Sequence, residues 1–374
     1  MNQPLTPTAL NGLLKGQVIH ERPGHPLDCR QMMILARAFG DWREPGDGSF
    51  AIGHDLRVSS PSLAEAASLG LRSGGHHVTH LGACTTPLLE WTVDHEEFDG
   101  GLMISGGCGL PAHNGIYFYG PGAEPLSAAD VLAAIRLDSV EALFLDPCVS
   151  ALHYAHPLPA YAAWLRQSLR GLGRRMKIVV DVGHGAAAAE LKEILPHFPD
   201  LYVEQIGSDS DPSHSRRAPD PLSAKAQARV IPRIQKTGCG NGAVLDACGT
   251  RLVVIDERGR CVNPYVLGVL LAEERLAARQ KLRVLYAEPA PAFVDAALSC
   301  LGVKSEAVAG SALGQWHAIH DARATLYFDG CGHVSYGDFP GSANALLALF
   351  RLMRLLSHGE APLSARVTAV SKAK

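Results

Sequence analysis

Gly106-Gly107-Cys108-Gly109 is the stretch whose residue types point most directly to chemistry. Gly100-Gly101-Leu102-Met103-Ile104 runs into it with strand-type residues, and Pro111 and Asn114-Gly115 lead out of it into a second such run, Ile116-Tyr117-Phe118-Tyr119. Glycines packed this densely let backbone N–H groups approach an anion without Cβ interference, so the loop is able to cradle a phosphate. A tight hairpin-like turn would use the same residues and stays open as the alternative. Ser105 is the hydroxyl nearest the glycines, and no Gly-x-Ser-x-Gly elbow occurs to suggest a hydrolase. The nine cysteines are odd in number, have no regular spacing and form no Cys-x-x-Cys pair, which reads as reduced thiols rather than a disulfide frame.

The elements that must hold this loop alternate in type. Gln31 to Phe39 places Met32, Met33, Leu35 and Ala36 at helical spacing. Phe50 to Arg57 reads as a buried strand, and Leu63 to Ser73 as a helix capped by Ser59-Ser60-Pro61-Ser62 and stopped by Gly74-Gly75. His77 to Gly82 reads as a strand and Leu88 to Val93 as a helix opened by Thr85-Thr86-Pro87. This β-α-β-α-β alternation predicts a parallel-type sheet covered by helices. Farther on, Tyr161 to Leu172 is an amphipathic helix, Lys177 to Asp181 a buried strand, Ala186 to Leu195 an Ala-rich helix, Ser208 to Pro219 a long polar loop and Ala226 to Lys236 a helix. Two apolar strands then flank one turn, Asp246 to Thr250. Tyr265 to Arg279, Phe293 to Leu301 and Ser342 to Leu356 read as helices, Lys281 to Tyr286 as a strand, and Gly359 to Lys374 as a polar tail.

A chain of 374 residues is too long for one ordinary core and suits two or three domains. Its 47% hydrophobic and 19% charged residues are those of a well-buried protein. A net charge of −3 and a pI near 6.6 give no basic field, and Lys and Arg are scattered, so neither nucleic acid nor a membrane surface is an expected partner. Met1 to Gln17 has a single Lys15 and no apolar core of signal length, and no window nears 18 uninterrupted apolar residues. A cytoplasmic location is the expectation.

Several runs carry a resemblance. Gly53-His54-Asp55-Leu56-Arg57-Val58-Ser59-Ser60, Leu81-Gly82 with Thr86-Pro87, Asn114-Gly115-Ile116, Val179-Val180-Asp181, Pro219-Asp220-Pro221 and Phe328-Asp329-Gly330-Cys331-Gly332-His333 follow one another as related motifs do in the α-D-phosphohexomutases, the phosphomannomutase and phosphoglucomutase family. The first run resembles that family's Gly-Arg-Asp-x-Arg-x-Ser-Ser. The resemblance implies an α/β fold of three consecutive α/β/α units with mixed sheets. These correspond to family domains I (1–140), II (141–256) and III (257–358), followed by the tail 359–374. The family's C-terminal domain, whose Arg-x-Ser-Gly-Thr loop holds the substrate phosphate, has no counterpart in these residues.

By the same resemblance the functional motifs are altered. Gly107 falls on the serine that carries the transferable phosphate, Ser105 on the preceding Thr and Cys108 on the His, while Arg57, near the phosphoserine in the family, is retained. The family's Asp-Gly-Asp-Gly-Asp-Arg loop holds Mg²⁺, which needs hard oxygen ligands; here Asp246, Cys248 and Thr250 occupy the three ligand places and Arg251 follows. Asp329, Cys331, Gly332 and His333 occupy the sugar-binding loop, Gly-Glu-x-Ser-Gly-His in the family. Phosphoryl transfer rests almost wholly on positioning and electrostatics, so loss of the donor, most of the cation site and the phosphate grip implies no mutase activity. Ser105 is a weak substitute nucleophile, because two residues of extended backbone displace it by roughly 6.6 Å. The expectation is a catalytically inactive, phosphomannomutase-like protein of carbohydrate metabolism. It would bind a hexose phosphate or sugar nucleotide, or a protein, as a regulatory or scaffold partner in polysaccharide or sugar-nucleotide synthesis. The alternative is an active, Mg²⁺-dependent phosphohexomutase, an isomerase with shifted chemistry. Cys108, Cys248 and Cys331, with His333 and Asp246, would also suit Zn²⁺ if the three loops converged, against chance drift of small residues.

Overall fold

The computed structural model describes residues 14–15, 18–20, 27–134, 150–169, 171–278, 282–310 and 312–373. The chain divides into two compact units, Met1–Pro157 and Leu158–Lys374. The division expected at 140/141, and the ends of the expected helices and strand at Arg279 and Lys281, lie outside the described residues.

In the first unit β1 (Leu14–Lys15), β2 (Val18–His20), β3 (Ser49–His54), β4 (His77–Ala83), β5 (Gly100–Ile104), β6 (Gly115–Tyr119) and β8 (Leu152–Tyr154) form one sheet in the order β1-β2-β6-β5-β3-β4-β8, with β7 (Pro125–Leu126) beside β6. β5, β3, β4 and β8 are parallel, and β6 and β2 add antiparallel at one side. α1 (Cys29–Arg43) starts at a capping box, in which the Asp28 carboxylate accepts from the Gln31 N–H and the Gln31 side chain accepts from the Asp28 N–H. Its apolar stripe buries Phe39 between Phe50 and Phe118, with ring centroids 5.8 and 5.0 Å away. α2 (Ser60–Ser73) carries Pro61 in its first turn, but Ser59 makes no side-chain cap bond, contrary to the expectation. α3 (Thr86–His95) is capped as expected, by Thr85 accepting from the Leu88 N–H. α4 (Ala128–Ala134) follows.

The second unit holds two further mixed sheets. β9 (Met176–Asp181), β10 (Leu201–Ile206), β11 (Asn241–Leu245) and β12 (Leu252–Ile255) run in the order β10-β9-β11-β12. β13 (Arg283–Glu288), β14 (Lys304–Ala309), β15 (Leu326–Phe328) and β16 (Val334–Tyr336) run in the order β14-β13-β15-β16. In each sheet three strands are parallel and the last is an antiparallel edge. The helices are α5 (Leu158–Ser168), α6 (Ala187–Ile194), α7 (Ala224–Gln227), α8 (Ile231–Thr237), α9 (Pro264–Ala277), α10 (Phe293–Cys300), α11 (Ala312–Asp321), α12 (Ala345–Ser357) and α13 (Leu363–Ser371). The single helix expected over 226–236 is two pieces, α7 and α8, because Pro232 has no N–H to continue the ladder and its ring excludes the carbonyl four residues back. The expected polar tail is also corrected. α13 packs on α9 and α10, buries Leu363, caps onto Glu257 through Ser364 and pairs Arg366 with Glu273 at 2.8 Å.

One topological feature recurs in all three sheets. The turn from an inner parallel strand into its antiparallel neighbour joins β5 to β6, β11 to β12 and β15 to β16. Each turn lies at the carboxyl end of a parallel strand, where open α/β sheets place ligands, and each is one of the three loops singled out by sequence.

Candidate functional site

In the first unit the loop between β5 and β6 is organised from below by Asp55 and Arg57. Asp55 is buried; its Oδ2 accepts from Ser105 Oγ at 2.8 Å and the Gly106 N–H at 3.1 Å, and its Oδ1 accepts from Ser60 Oγ and from the Arg57 N–H at 3.0 Å. Arg57 is 2% exposed and its Nε donates to Asp55 Oδ2 at 3.0 Å. Its two terminal nitrogens donate to five carbonyls of the loop, those of Gly107 at 2.7 Å, Gly109 at 3.3 Å, Leu110 at 2.6 Å, Pro111 at 3.2 Å and His113 at 2.9 Å. The retained arginine is therefore the loop's internal brace, with its fork committed to backbone oxygens.

The loop amides are committed too. The N–H of Gly107 donates to Ser105 Oγ at 3.0 Å and that of Gly109 to the Gly106 carbonyl at 2.9 Å. The phosphate cradle expected from the glycines is thus a self-satisfied turn, because the N–H groups of Gly106, Gly107 and Gly109 all face inward. Ser105 is fully buried and bridges Asp55 to the Gly107 amide, so it acts as a strut. Gly107 has φ +53°, and a Cβ there would sit 2.8 Å from Tyr117 Oη. Asn114 closes the turn, its Nδ2 donating to Ser59 Oγ at 3.0 Å and Ser60 Oγ at 2.7 Å and its Oδ1 accepting from the Gly115 N–H at 2.9 Å.

In the second unit the loops after β11 and β15 meet. Gly332 has φ +89° and a Cβ there would lie 2.7 Å from the Leu252 carbonyl. Only glycine allows that approach, so the Leu252 N–H reaches the Gly332 carbonyl at 2.9 Å and Arg251 bridges His333. Arg251 Nε then donates to His333 Nε2 at 3.0 Å. An accepting Nε2 assigns the proton to Nδ1, which faces Asp329 Oδ2 at 2.7 Å. The other Asp329 oxygen accepts from the Cys331 N–H at 2.8 Å and the His333 N–H at 3.0 Å. Burial opposes ionisation of Asp329, but the His333 contact and the loop amides outweigh it and hold the carboxyl below its ordinary range. The result is a fixed Asp329–His333–Arg251 relay, in which Arg251 also lies 3.9 Å from Asp220.

The remaining carboxylate of the metal-type loop does not fit Mg²⁺. Asp246 Oδ1 accepts from the Thr250 N–H at 2.8 Å and the Arg251 N–H at 3.1 Å, and Oδ2 from Cys248 Sγ and Thr250 Oγ1, both at 2.9 Å. One buried carboxylate engaged by four donors of its own loop, beside a thiol and a hydroxyl, lacks the hard-oxygen shell that Mg²⁺ demands. Among the described residues no group of three or more His, Cys, Asp or Glu is placed to hold a metal ion, so Cys248, Cys331 and His333 of the second unit do not by themselves form the zinc site that the sequence suggested.

Sequence reasoning did not single out Asp55 as an organiser, nor the roles of Asp211 and Arg217 in the polar loop it placed at 208–219. In that loop Asp211 accepts from Ser213 Oγ at 2.9 Å and the Arg216 N–H at 2.9 Å, and Arg217 turns inward to donate to the Leu245 carbonyl at 2.5 Å, next to Asp246. The available signal for Asp55 was an acidic residue at a buried strand's end, two positions before an arginine that could pair with it.

Two family models match the chain: the phosphoglucomutase/phosphomannomutase alpha/beta/alpha domain I over residues 14–137 and domain II over residues 161–259. A phosphohexose mutase of Xanthomonas campestris pv. campestris is 29% identical over 242 residues, which are 64% of this chain and 54% of that protein. A phosphoglucosamine mutase of Synechococcus elongatus is 31% identical over 282 residues, 72% of this chain and 57% of that protein. The chain thus spans somewhat more than half the length of these curated relatives. A crystal structure of a phosphoglucomutase/phosphomannomutase family protein from Burkholderia thailandensis superposes with a TM-score of 0.80 at 21% identity, covering 97% of this chain and 79% of that one.

Proposed function

The chain belongs to the α-D-phosphohexomutase superfamily, and from that premise we propose that it binds a hexose phosphate without turning it over through a phosphoenzyme. The observation that carries this reading is the state of the two positions where a transferable phosphate would be held. Gly107 has no side chain, and the Ser105 hydroxyl is fully buried between Asp55 and a loop amide. Neither offers a nucleophile to an incoming phosphoryl group.

Binding is supported by the relay in the second unit. The buried Asp329 carboxylate holds His333, and His333 in turn orients Arg251. The guanidinium is a planar multiple donor suited to a phosphate or a ring hydroxyl. The names of the Xanthomonas and Synechococcus relatives point to the same ligand class. A regulatory or scaffold role in sugar-nucleotide or polysaccharide synthesis is the part such a binding protein would play.

Incubation with ³²P-labelled glucose 1,6-bisphosphate and Mg²⁺ tests the first half, with no protein-bound label expected. Label that persists through denaturation and disappears in Ser105→Ala would overturn it and restore an active mutase. Thermal shift with glucose 1-phosphate, mannose 6-phosphate and glucosamine 6-phosphate tests the second half. A ligand at 100 times its Kd stabilises by about 2.7 kcal/mol, and Arg251→Ala abolishes that gain.

A further inference from the structure

The strongest unassigned chemistry lies at the opposite end of the third sheet from the Asp329–His333 loop. β15 begins just after Thr325 and β16 ends just before Gly337, so these residues mark the far end of the two strands that carry the relay. There Arg275, His320, Arg323, Thr325 and Asp338 line a cavity of about 420 Å³, within the size range of small-molecule sites.

Behind this cavity lies an ion cluster whose charges do not cancel. Arg275 and Arg351 are only 5% and 1% exposed. Arg275 Nη1 lies 3.0 Å from Asp338 Oδ2, and Arg351 Nη2 donates to the two Asp338 oxygens at 3.1 and 2.8 Å. Arg354 pairs with the buried Glu274. Three guanidiniums therefore meet two carboxylates, one positive charge in surplus, before Arg323 and His320 on the cavity wall are considered. The Nε of Arg275 and the Nη1 of Arg351 are buried without a hydrogen-bond partner. The Arg351 guanidinium stacks 4.0 Å from the centre of the Tyr336 ring, which offsets part of the desolvation. Burial first, and Arg351 second, depress the ionisation of Arg275, the direction expected of a guanidinium short of counter-charge. A buried cation lacking full compensation is costly, and an anion in the adjoining cavity relieves it.

Arg323 adds a second signal. It follows α11 at φ +48°, with its own N–H on the His320 carbonyl at 3.3 Å and the Ala324 N–H on the Ile319 carbonyl at 2.9 Å. This is the left-handed helix-ending position that glycine normally fills. The chain instead keeps a long cationic side chain there, at the cavity wall and against the backbone preference.

We propose that this cavity binds the phosphate group of a small phosphorylated molecule, with Arg275 and Arg323 as its charged grip. Asp338 does not oppose the ligand as a free carboxylate would, because Arg275 and Arg351 already hold both of its oxygens. The site is separate from the Arg251–His333 relay and stands whether or not that relay binds a sugar.

Inorganic phosphate titrated into the full chain provides the test. The reporter is the indole N–H of Trp316, which donates to the Pro340 carbonyl at 2.8 Å while its ring lies tilted against that of His320, centroids 4.0 Å apart. Phosphate shifts this resonance in the wild type. Arg323→Gly relieves the left-handed strain and folds at least as stably, yet weakens phosphate binding at this reporter by about tenfold. Arg251→Ala binds phosphate here as the wild type does. A Trp316 resonance indifferent to phosphate, or an Arg323→Gly protein of wild-type affinity, overturns the proposal.

Discussion

At the scale of single residues, the loop after β5 shows how one substitution fixes the meaning of its neighbours. Gly107 adopts φ +53°, a conformation in which an L side chain costs about 1 kcal/mol, and the space beside it is taken by Tyr117 Oη. Gly107→Ser is therefore not a simple restoration. It should lower stability by about 1–2 kcal/mol in urea denaturation and still give no phosphoprotein with labelled bisphosphate. A stable Gly107→Ser protein that takes up label would mean that the loop re-forms around a serine. Arg57 shows the converse, because its type was legible in sequence but its work was not. The five carbonyls it braces come from residues 50 to 56 positions away in the chain, and only the fold brings them to one guanidinium.

At the scale of elements, the site loops are set by hairpin-like turns and by the helices behind them. α12 begins at Asn344, a buried side chain whose Oδ1 accepts from the Leu347 N–H at 2.9 Å while its Nδ2 donates to Tyr161 Oη on α5 at 2.7 Å. The Ala345 N–H of the same turn donates to the Gly249 carbonyl at 3.0 Å, tying α12 to the loop that carries Asp246. Asn344→Ala removes a cap and a hydrogen bond to the buried Tyr161 hydroxyl, with an expected loss of about 2 kcal/mol. Asn344→Asp keeps the cap and should recover part of it, as read by denaturant midpoint at constant slope. Equal losses in the two variants would show that the cap contributes nothing.

At the scale of the whole molecule, the acid response follows from the buried carboxylates. Burial works against ionisation of Asp329 and Asp338, but His333 in one case, and Arg351 with Arg275 in the other, hold both carboxyls below their ordinary range. Such groups contribute stability that is complete above the unfolded value near 4 and is lost as pH falls through the lower folded value. Glu274 has the opposite sign, since burial outweighs its arginine partners and raises its carboxyl. Asp41, Asp209 and Asp211 are depressed likewise. With five depressed carboxyls against one raised among the described residues, the urea midpoint should fall as pH drops below about 4, and Asp338→Asn should flatten that fall. An unchanged profile in Asp338→Asn would remove the Arg275–Asp338–Arg351 cluster from the account.

The sequence by itself determined the superfamily, the mixed α/β class and the identity of the three loops, because these depend on local signals: hydrophobic period, glycine and proline punctuation, and motif order along the chain. It also located half of the described strands and most of the described helices to within a few residues. It did not reveal β1, β2, β7, β8, β10, β14, β15, β16, α4 or α11, misread α13 as a tail and overlooked the break at Pro232. Short strands and weakly amphipathic helices owe their state to the surfaces that cover them more than to their own residues. Tertiary structure alone decided what the loop groups do. The glycine amides turned inward, Ser105 became a strut, Asp246 was engaged by its own loop, and Arg251 joined His333 across 82 positions. A hydrogen-bonding group takes the nearest partner in space, and sequence spacing says nothing about that partner when it comes from another strand's turn.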